Sequence, residues 1–314
     1  MNEDLWPTKF LAAAGEAVRR AISDLGHRSP VLIEQMSKWL SLRCDLSRLE
    51  DYFIRPQSLP ILALPWWLEN TIQREIDIEF QVDLMYSSIS GYYFARMLDD
   101  VMDGHQVHRP AVPVLGPLHT QFLSTYFKYF QYSDPFWPEF ERNLMATAEA
   151  SAVETTLETI DEAEFLKVSA QKTAAGVIPM VAVCFRYCRP DLLAPWEGLF
   201  ARLARWHQMR DDVLDWSSDH ELHNRTWLLS EAERRRADHE SVPEWMGREG
   251  FNWAQNILEC LIREAITMAE GLGSPEVILY LKLRQESFAC YTDTLVATAT
   301  AFSKLLQMDS SSSA

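Results

Sequence analysis

The sequence has little of what sheets need. Eleven glycines and fifteen prolines in 314 residues are about two-thirds of the ordinary share of these turn formers, and no stretch alternates apolar and polar residues as a half-buried strand does. Both shortages exclude sheet-rich folds and favour long helices. Cysteine is sparse as well: Cys44, Cys184, Cys188, Cys260 and Cys290 are odd in number and scattered, without C-x-x-C spacing. Neither a disulfide framework nor a zinc site follows, and a reduced, cytoplasmic compartment fits best. Basic clusters are missing too. Against 45 acidic residues stand 29 basic ones, a net charge of −16, which argues against nucleic-acid binding. No apolar run reaches bilayer length, Gly176 to Phe185 coming nearest, so no membrane span is expected. The N-terminus places acids before a short apolar run, unlike a secretory signal. Fixed-period repeats are absent.

What is present is helical periodicity. With 47% hydrophobic residues the chain can bury a sizeable core, and the apolar spacing predicts helices over 8–24, 30–43, 68–104, 114–132, 136–158, 161–186, 191–219, 227–238, 249–272 and 275–307. Breaks fall at Arg55-Pro56, Arg109 to Pro113, Asp134-Pro135, Arg189-Pro190 and Gly271 to Pro275. Stretches 84–98 and 174–185 carry few charges on any face and so belong inside a bundle. The expected architecture is all-α: one domain over 1–308, a bundle of about ten helices around a central cavity, with a Ser-rich disordered tail at 309–314.

Two acidic clusters interrupt this pattern. In Leu98-Asp99-Asp100-Val101-Met102-Asp103, Asp99 and Asp103 lie one helical turn apart at the end of a nearly uncharged element. In Gln208-Met209-Arg210-Asp211-Asp212-Val213-Leu214-Asp215-Trp216-Ser217-Ser218-Asp219, Asp211, Asp215 and Asp219 recur every fourth residue near a helix C-terminus, where the macrodipole disfavours anions. A lone D-D-x-x-D is more often a solvated helix face. Two of them, 112 residues apart on apolar-flanked helices, imply a cation. Hard carboxylate oxygens suit Mg²⁺, whose shell is commonly completed by phosphate oxygens. Two such stripes facing each other across a cavity would clamp three metal ions around one diphosphate.

On these residues the chain resembles the trans-prenyl diphosphate synthases of the class I isoprenoid synthase superfamily. In that family the first motif is followed by an Arg pair, here His108-Arg109; a Lys-Thr opens an apolar helix, here Lys172-Thr173-Ala174-Ala175-Gly176; and the second motif reads FQxxDDxxD, here His207-Gln208 through Asp215 with His replacing Phe. Order and spacing match over residues 80–230. The resemblance implies that Asp99, Asp100, Asp103, Asp211, Asp212 and Asp215 bind Mg²⁺, that Arg109, Lys172, Gln208 and Arg225 contact the diphosphate of a prenyl diphosphate, and that Asp99, Asp103, Asp211 and Lys172 carry the catalysis. Homodimers are common in the family, although nothing in this sequence marks an interface.

The departures are as informative. Chain-elongating synthases carry a GGKR-type segment for isopentenyl diphosphate; here Tyr52-Phe53-Ile54-Arg55-Pro56 keeps only Arg-Pro, and a later Gly-Lys segment is replaced by His223-Asn224-Arg225-Thr226. Ionisation machinery without a co-substrate site leaves the allylic cation to react internally, which is terpene cyclisation. The NSE motif and Arg-Tyr pair of ordinary microbial cyclases are missing, so the chain looks like the atypical fungal humulene synthases, which implies a carbon-oxygen lyase acting on farnesyl diphosphate. Cyclisation needs a dry, aromatic-lined cavity. Tyr92, Phe94, Phe185 and Trp206 are candidates for it, with Trp66, Trp67, Tyr93 and Trp216 nearby, although core packing is the commoner role for each. The alternatives are a short-chain prenyl diphosphate synthase, with Phe94 as the floor that limits chain length, and a non-catalytic partner subunit of a synthase.

Overall fold

The computed structural model describes residues 5–42, 49–55, 58–102 and 107–288. Among these every regular element is helical. In chain order they are α1 (Thr8–Arg28), α2 (Pro30–Ser41), α3 (Leu49–Ile54), α4 (Ala63–Ile72), α5 (Ile78–Met102), α6 (Leu115–Ser124), α7 (Phe136–Glu154), α8 (Glu162–Lys172), α9 (Ile178–Arg186), α10 (Leu193–Leu222), α11 (Trp227–Arg235), α12 (Val242–Trp245) and α13 (Phe251–Glu270), followed by α14, helical over 275–288. The tail 309–314, the end of the last expected helix and the break at Pro56 lie outside the described residues.

The chain forms two compact units. The first is built from the described residues of 1–141, 176–194 and 274–277. Its central element is α5, packed against α1 and α6, and eleven consecutive residues, Phe80 to Ser90, are buried. Such a helix must be apolar or internally satisfied all round. Two of the polar exceptions are satisfied across to other elements: Asp83 pairs with Arg20 of α1 at 2.6 Å and with Lys128 at 2.8 Å, and Ser87 Oγ donates to the Phe122 carbonyl at 2.8 Å. At Gly91 α6 comes close enough that a Cβ would meet the Phe122 ring at 2.8 Å. Beyond it Ala95, Arg96 and Leu98 are exposed. The expectation that 84–98 is enclosed therefore holds only for its first half.

Three expected helices are broken, the run 114–132 ending its α-helix at Ser124 before a 3-10 turn at Tyr126–Lys128. The run 68–104 divides into α4 and α5 without glycine or proline, because buried Glu69 accepts from Asp77 N (2.7 Å), Tyr187 Oη (2.8 Å) and Gln81 Nε2 (2.5 Å) and fixes the bend. Gln73 turns extended, and Asp77 Oδ1 accepts from Phe80 N to cap α5. The run 161–186 breaks after Lys172 into a 3-10 turn, Ala174–Val177, before α9. Pro179 sits in the first turn of α9, where its missing N–H costs nothing.

The second unit holds the described residues of 142–175, 195–273 and 278–288. Its spine is α10. Arg205 Nε donates to the Leu166 carbonyl of α8 at 2.8 Å, and the rings of Trp206 and Trp216 meet Phe288 and Phe251 edge-on. A capping box of Asp161 and Glu164 opens α8, whose Phe165 packs on Trp227 of α11. The helix α10 ends one turn later than expected, stopped by His223 with a left-handed φ of 62°.

Candidate active site

The first acidic cluster ends α5. Asp99 is 29% exposed and pairs with Arg96 one turn earlier at 3.4 Å. Asp100 is 1% exposed and turned inward, where Trp39 of α2 donates its indole N–H to Oδ2 at 2.9 Å. The Arg96 guanidinium lies 3.9 Å from its other oxygen. Adjacent positions on one helix thus face different surroundings: Asp99 reaches solvent, and Asp100 is held in the interior of its unit. Asp103 lies outside the described residues. Arg109 starts a 3-10 turn and is exposed.

Beside Trp39 sits an aromatic group built from α3 and α5. Phe53 packs against Tyr92 and Tyr93 at 5.4 and 5.6 Å, Tyr93 meets Trp39 edge-on, and the hydroxyls of Tyr52 and Tyr92 touch. Burial, then the neighbouring Tyr52, pushes the Tyr92 phenol well above its ordinary value, so it stays neutral. Phe94 points elsewhere, onto His119 of α6 at 5.2 Å. Trp66 and Trp67 pack with Trp6 and Phe10 and line a cavity of about 390 Å³ with Lys9, Arg74 and Ile78. Ile78 opens α5 and Asp99 closes it, roughly 30 Å apart along the helix axis. That cavity is therefore remote from the acidic end of α5.

The second cluster lies on α10. Asp211, which pairs with Arg210 at 3.1 Å, and Asp215 are exposed. Asp219 is half-buried and accepts from Asn224 Nδ2 at 2.9 Å. Asp212 is 4% exposed and accepts from Gln208 Nε2, one turn earlier, at 2.8 Å. Burial, with the charges of Asp219, Asp211 and Glu154 added, pushes its carboxyl up to about 8 despite that hydrogen bond. His207, where the resembled motif has Phe, is buried edge-on to Trp206, and burial followed by Arg284 and Arg210 lowers its basicity far enough to keep it neutral. A neutral imidazole is the nearest chemical stand-in for an aromatic ring there.

Lys172, the last residue of α8, pairs with Glu154, the last residue of α7, at 2.6 Å. The charge of Glu154 also contributes to raising the Asp212 carboxyl. Arg225 is exposed past the end of α10, and Phe185 is half-buried near the end of α9. Trp206 is 2% exposed beneath the Arg284 guanidinium, 4.8 Å from its ring centre. Sequence reasoning missed Trp39, Arg96 and Glu154. Only Arg96 left a signal, standing three and four residues before Asp99 and Asp100.

Among the described residues no three His, Cys, Asp or Glu side chains are gathered closely enough to hold a metal ion. The donor chemistry nevertheless fits a hard cation: a buried carboxyl held up to about 8 among acidic neighbours is a group that a divalent cation would ionise.

No single helix among the described residues is long and apolar enough to cross a membrane. No protein-family model matches the chain, and no curated protein matches it in sequence. Among solved structures it is similar to a geranylgeranyl pyrophosphate synthetase from the archaeon Geoglobus acetivorans, with a TM-score of 0.62, 14% identity, and coverage of 88% of this chain and 97% of that one. The chain therefore has the all-helical fold of the class I isoprenoid synthases.

Proposed function

We propose that this protein is a Mg²⁺-dependent terpene cyclase that ionises farnesyl diphosphate and closes the carbon chain to a hydrocarbon such as humulene. The observation that carries the reading is Asp212 of α10, buried among acids with Gln208 on its oxygen, while Lys172 is paired to one of those acids, Glu154. Such an arrangement is costly for stability alone.

In this reading Asp99, Asp100, Asp103, Asp211, Asp212 and Asp215 hold Mg²⁺, while Lys172, Arg109, Gln208 and Arg225 meet the diphosphate. When bound, Mg²⁺ neutralises charge on the departing diphosphate oxygens. Lys172 offers a point charge and Arg109 a planar fork to the same oxygens. The carbon-oxygen bond breaks with its electron pair going to diphosphate, the allylic cation adds to a distal double bond of its own chain, and a proton leaves to the released diphosphate. Neutral aromatic rings such as Tyr92 exclude water from the cation. Cyclisation is favoured over elongation by Tyr52 and Phe53: they stand where elongating relatives have their GGKR-type segment, and they pack onto Tyr92 and Tyr93.

The second reading is a short-chain prenyl diphosphate synthase, favoured by the name of the structural neighbour, a geranylgeranyl pyrophosphate synthetase. Gas chromatography with mass detection separates the two, using farnesyl and geranylgeranyl diphosphate with Mg²⁺, with and without isopentenyl diphosphate and with a chelator control. A chelator-sensitive hydrocarbon from one diphosphate alone supports the cyclase. A longer diphosphate formed only with isopentenyl diphosphate supports elongation. No product under any condition overturns the enzymatic reading and favours a non-catalytic partner subunit.

A further inference from the structure

The C-terminal ends of α7 and α8 are fastened together. Thr147 Oγ1 accepts from Ala175 N at 2.8 Å and donates to the Gln171 carbonyl at 3.3 Å, fixing the end of α8 against α7. Two turns further along α7, Glu154 Oε2 meets Lys172 Nζ at 2.6 Å. The side chains are 26% and 27% exposed, open enough for an anion to reach the ammonium and enclosed enough for the pair to form often.

We propose that Glu154 is a positioning residue that holds Lys172 in reserve, acting as its counter-anion until an incoming diphosphate displaces it. The proposal rests on the reading that Lys172 meets the diphosphate. No bond forms or breaks in the exchange and no proton moves: the ammonium trades a carboxylate oxygen for a phosphate oxygen. While the pair is formed, Glu154 aims Lys172 along the direction set by the fastened helix ends. The cost falls on affinity, because the fraction of molecules with Lys172 already paired is subtracted from the binding-competent population.

The test is isothermal titration of inorganic diphosphate with Mg²⁺ into the full chain, comparing wild type, Glu154→Gln, Lys172→Ala and the double variant. Glutamine keeps the size of Glu154 and one acceptor oxygen while removing its charge. Glu154→Gln is expected to tighten diphosphate binding roughly threefold, Lys172→Ala to weaken it, and Glu154→Gln to have no effect once Lys172 is gone. A merely structural role for Glu154 would not produce tighter binding. Unchanged or weaker binding in Glu154→Gln overturns the proposal, as does a gain that persists in the Lys172→Ala background. If Lys172→Ala binds diphosphate as wild type does, the assignment of Lys172 itself has failed and the proposal falls with it.

Discussion

The indole N–H of Trp39 donates to Oδ2 of Asp100 at 2.9 Å, and both side chains are almost fully buried. This bond joins α2 to the last turn of α5 and separates the roles of two neighbouring aspartates. Trp39→Phe keeps an aromatic ring but loses part of the indole's volume and leaves a buried carboxylate short of one donor, so a loss of about 1–3 kcal/mol or more is expected, read as a lower urea midpoint. Asp100→Asn keeps an acceptor for the indole and should cost less. An equal or larger loss in Asp100→Asn would mean that the charge, not the hydrogen bond, anchors this end of α5.

Asp99→Ala and Asp211→Ala remove side chains that reach solvent, 29% and 56% exposed. Neither leaves a core cavity, so stability should stay within about 0.5 kcal/mol of wild type. As proposed metal ligands, each should lower turnover by about a hundredfold or more, the scale of a few kcal/mol of lost transition-state stabilisation. Steady-state kinetics with added Mg²⁺, alongside a thermal melt, separates this from misfolding. Unchanged turnover in either variant would sink the metal assignment for that residue.

Glu69 is fully buried in the first unit and accepts hydrogen bonds from Asp77 N, Tyr187 and Gln81. Glu69→Ala strands several buried donors at once, and a loss of about 3 kcal/mol or more is expected. Denaturant unfolding measures it. The damage should also appear as faster amide exchange at Asp77 and in the first turn of α5, because the bend at 73–77 has no glycine or proline to maintain it.

The class of fold was legible because helix patterning is local: α5 announced itself by a nearly uncharged run, and α10 by repeated apolar spacing into the acidic stripe. The break before α5 was not legible, since it depends on Glu69 reaching across to residue 77 and on Tyr187, more than a hundred positions away. The acidic motifs could be seen, but their division into exposed and buried members could not. Periodicity placed Asp211, Asp215 and Asp219 on one stripe; it gave no sign that Asp212 and Asp100 turn inward. Trp39 stands 61 residues from Asp100, and no spacing rule links them. Glu154 lies on a different helix from Lys172 and carries no motif, so only the folded chain pairs them.

Asp212 gives a prediction with a definite sign. Burial pushes its carboxyl up to about 8, against about 3.9 in an unfolded chain. Below the lower value both states carry the proton, and the group makes stability independent of pH. Between the two values the unfolded chain releases the proton and the folded chain keeps it, so each rise in pH favours unfolding. The contribution is lost as pH climbs toward 8 and is constant above it. In the presence of a chelator, wild type should therefore become progressively less stable than Asp212→Asn from pH 5 to pH 8, with the gap closing at acid pH. Asparagine can still accept from Gln208, which makes it the fitting control. Guanidinium titrations at four pH values measure the gap. Added Mg²⁺ with inorganic diphosphate should narrow it at pH 8, because a cation beside Asp212 favours the ionised form that burial penalises. A gap that stays constant across this range would show that Asp212 ionises normally in the folded chain, and would remove the argument that α10 is built to receive a cation.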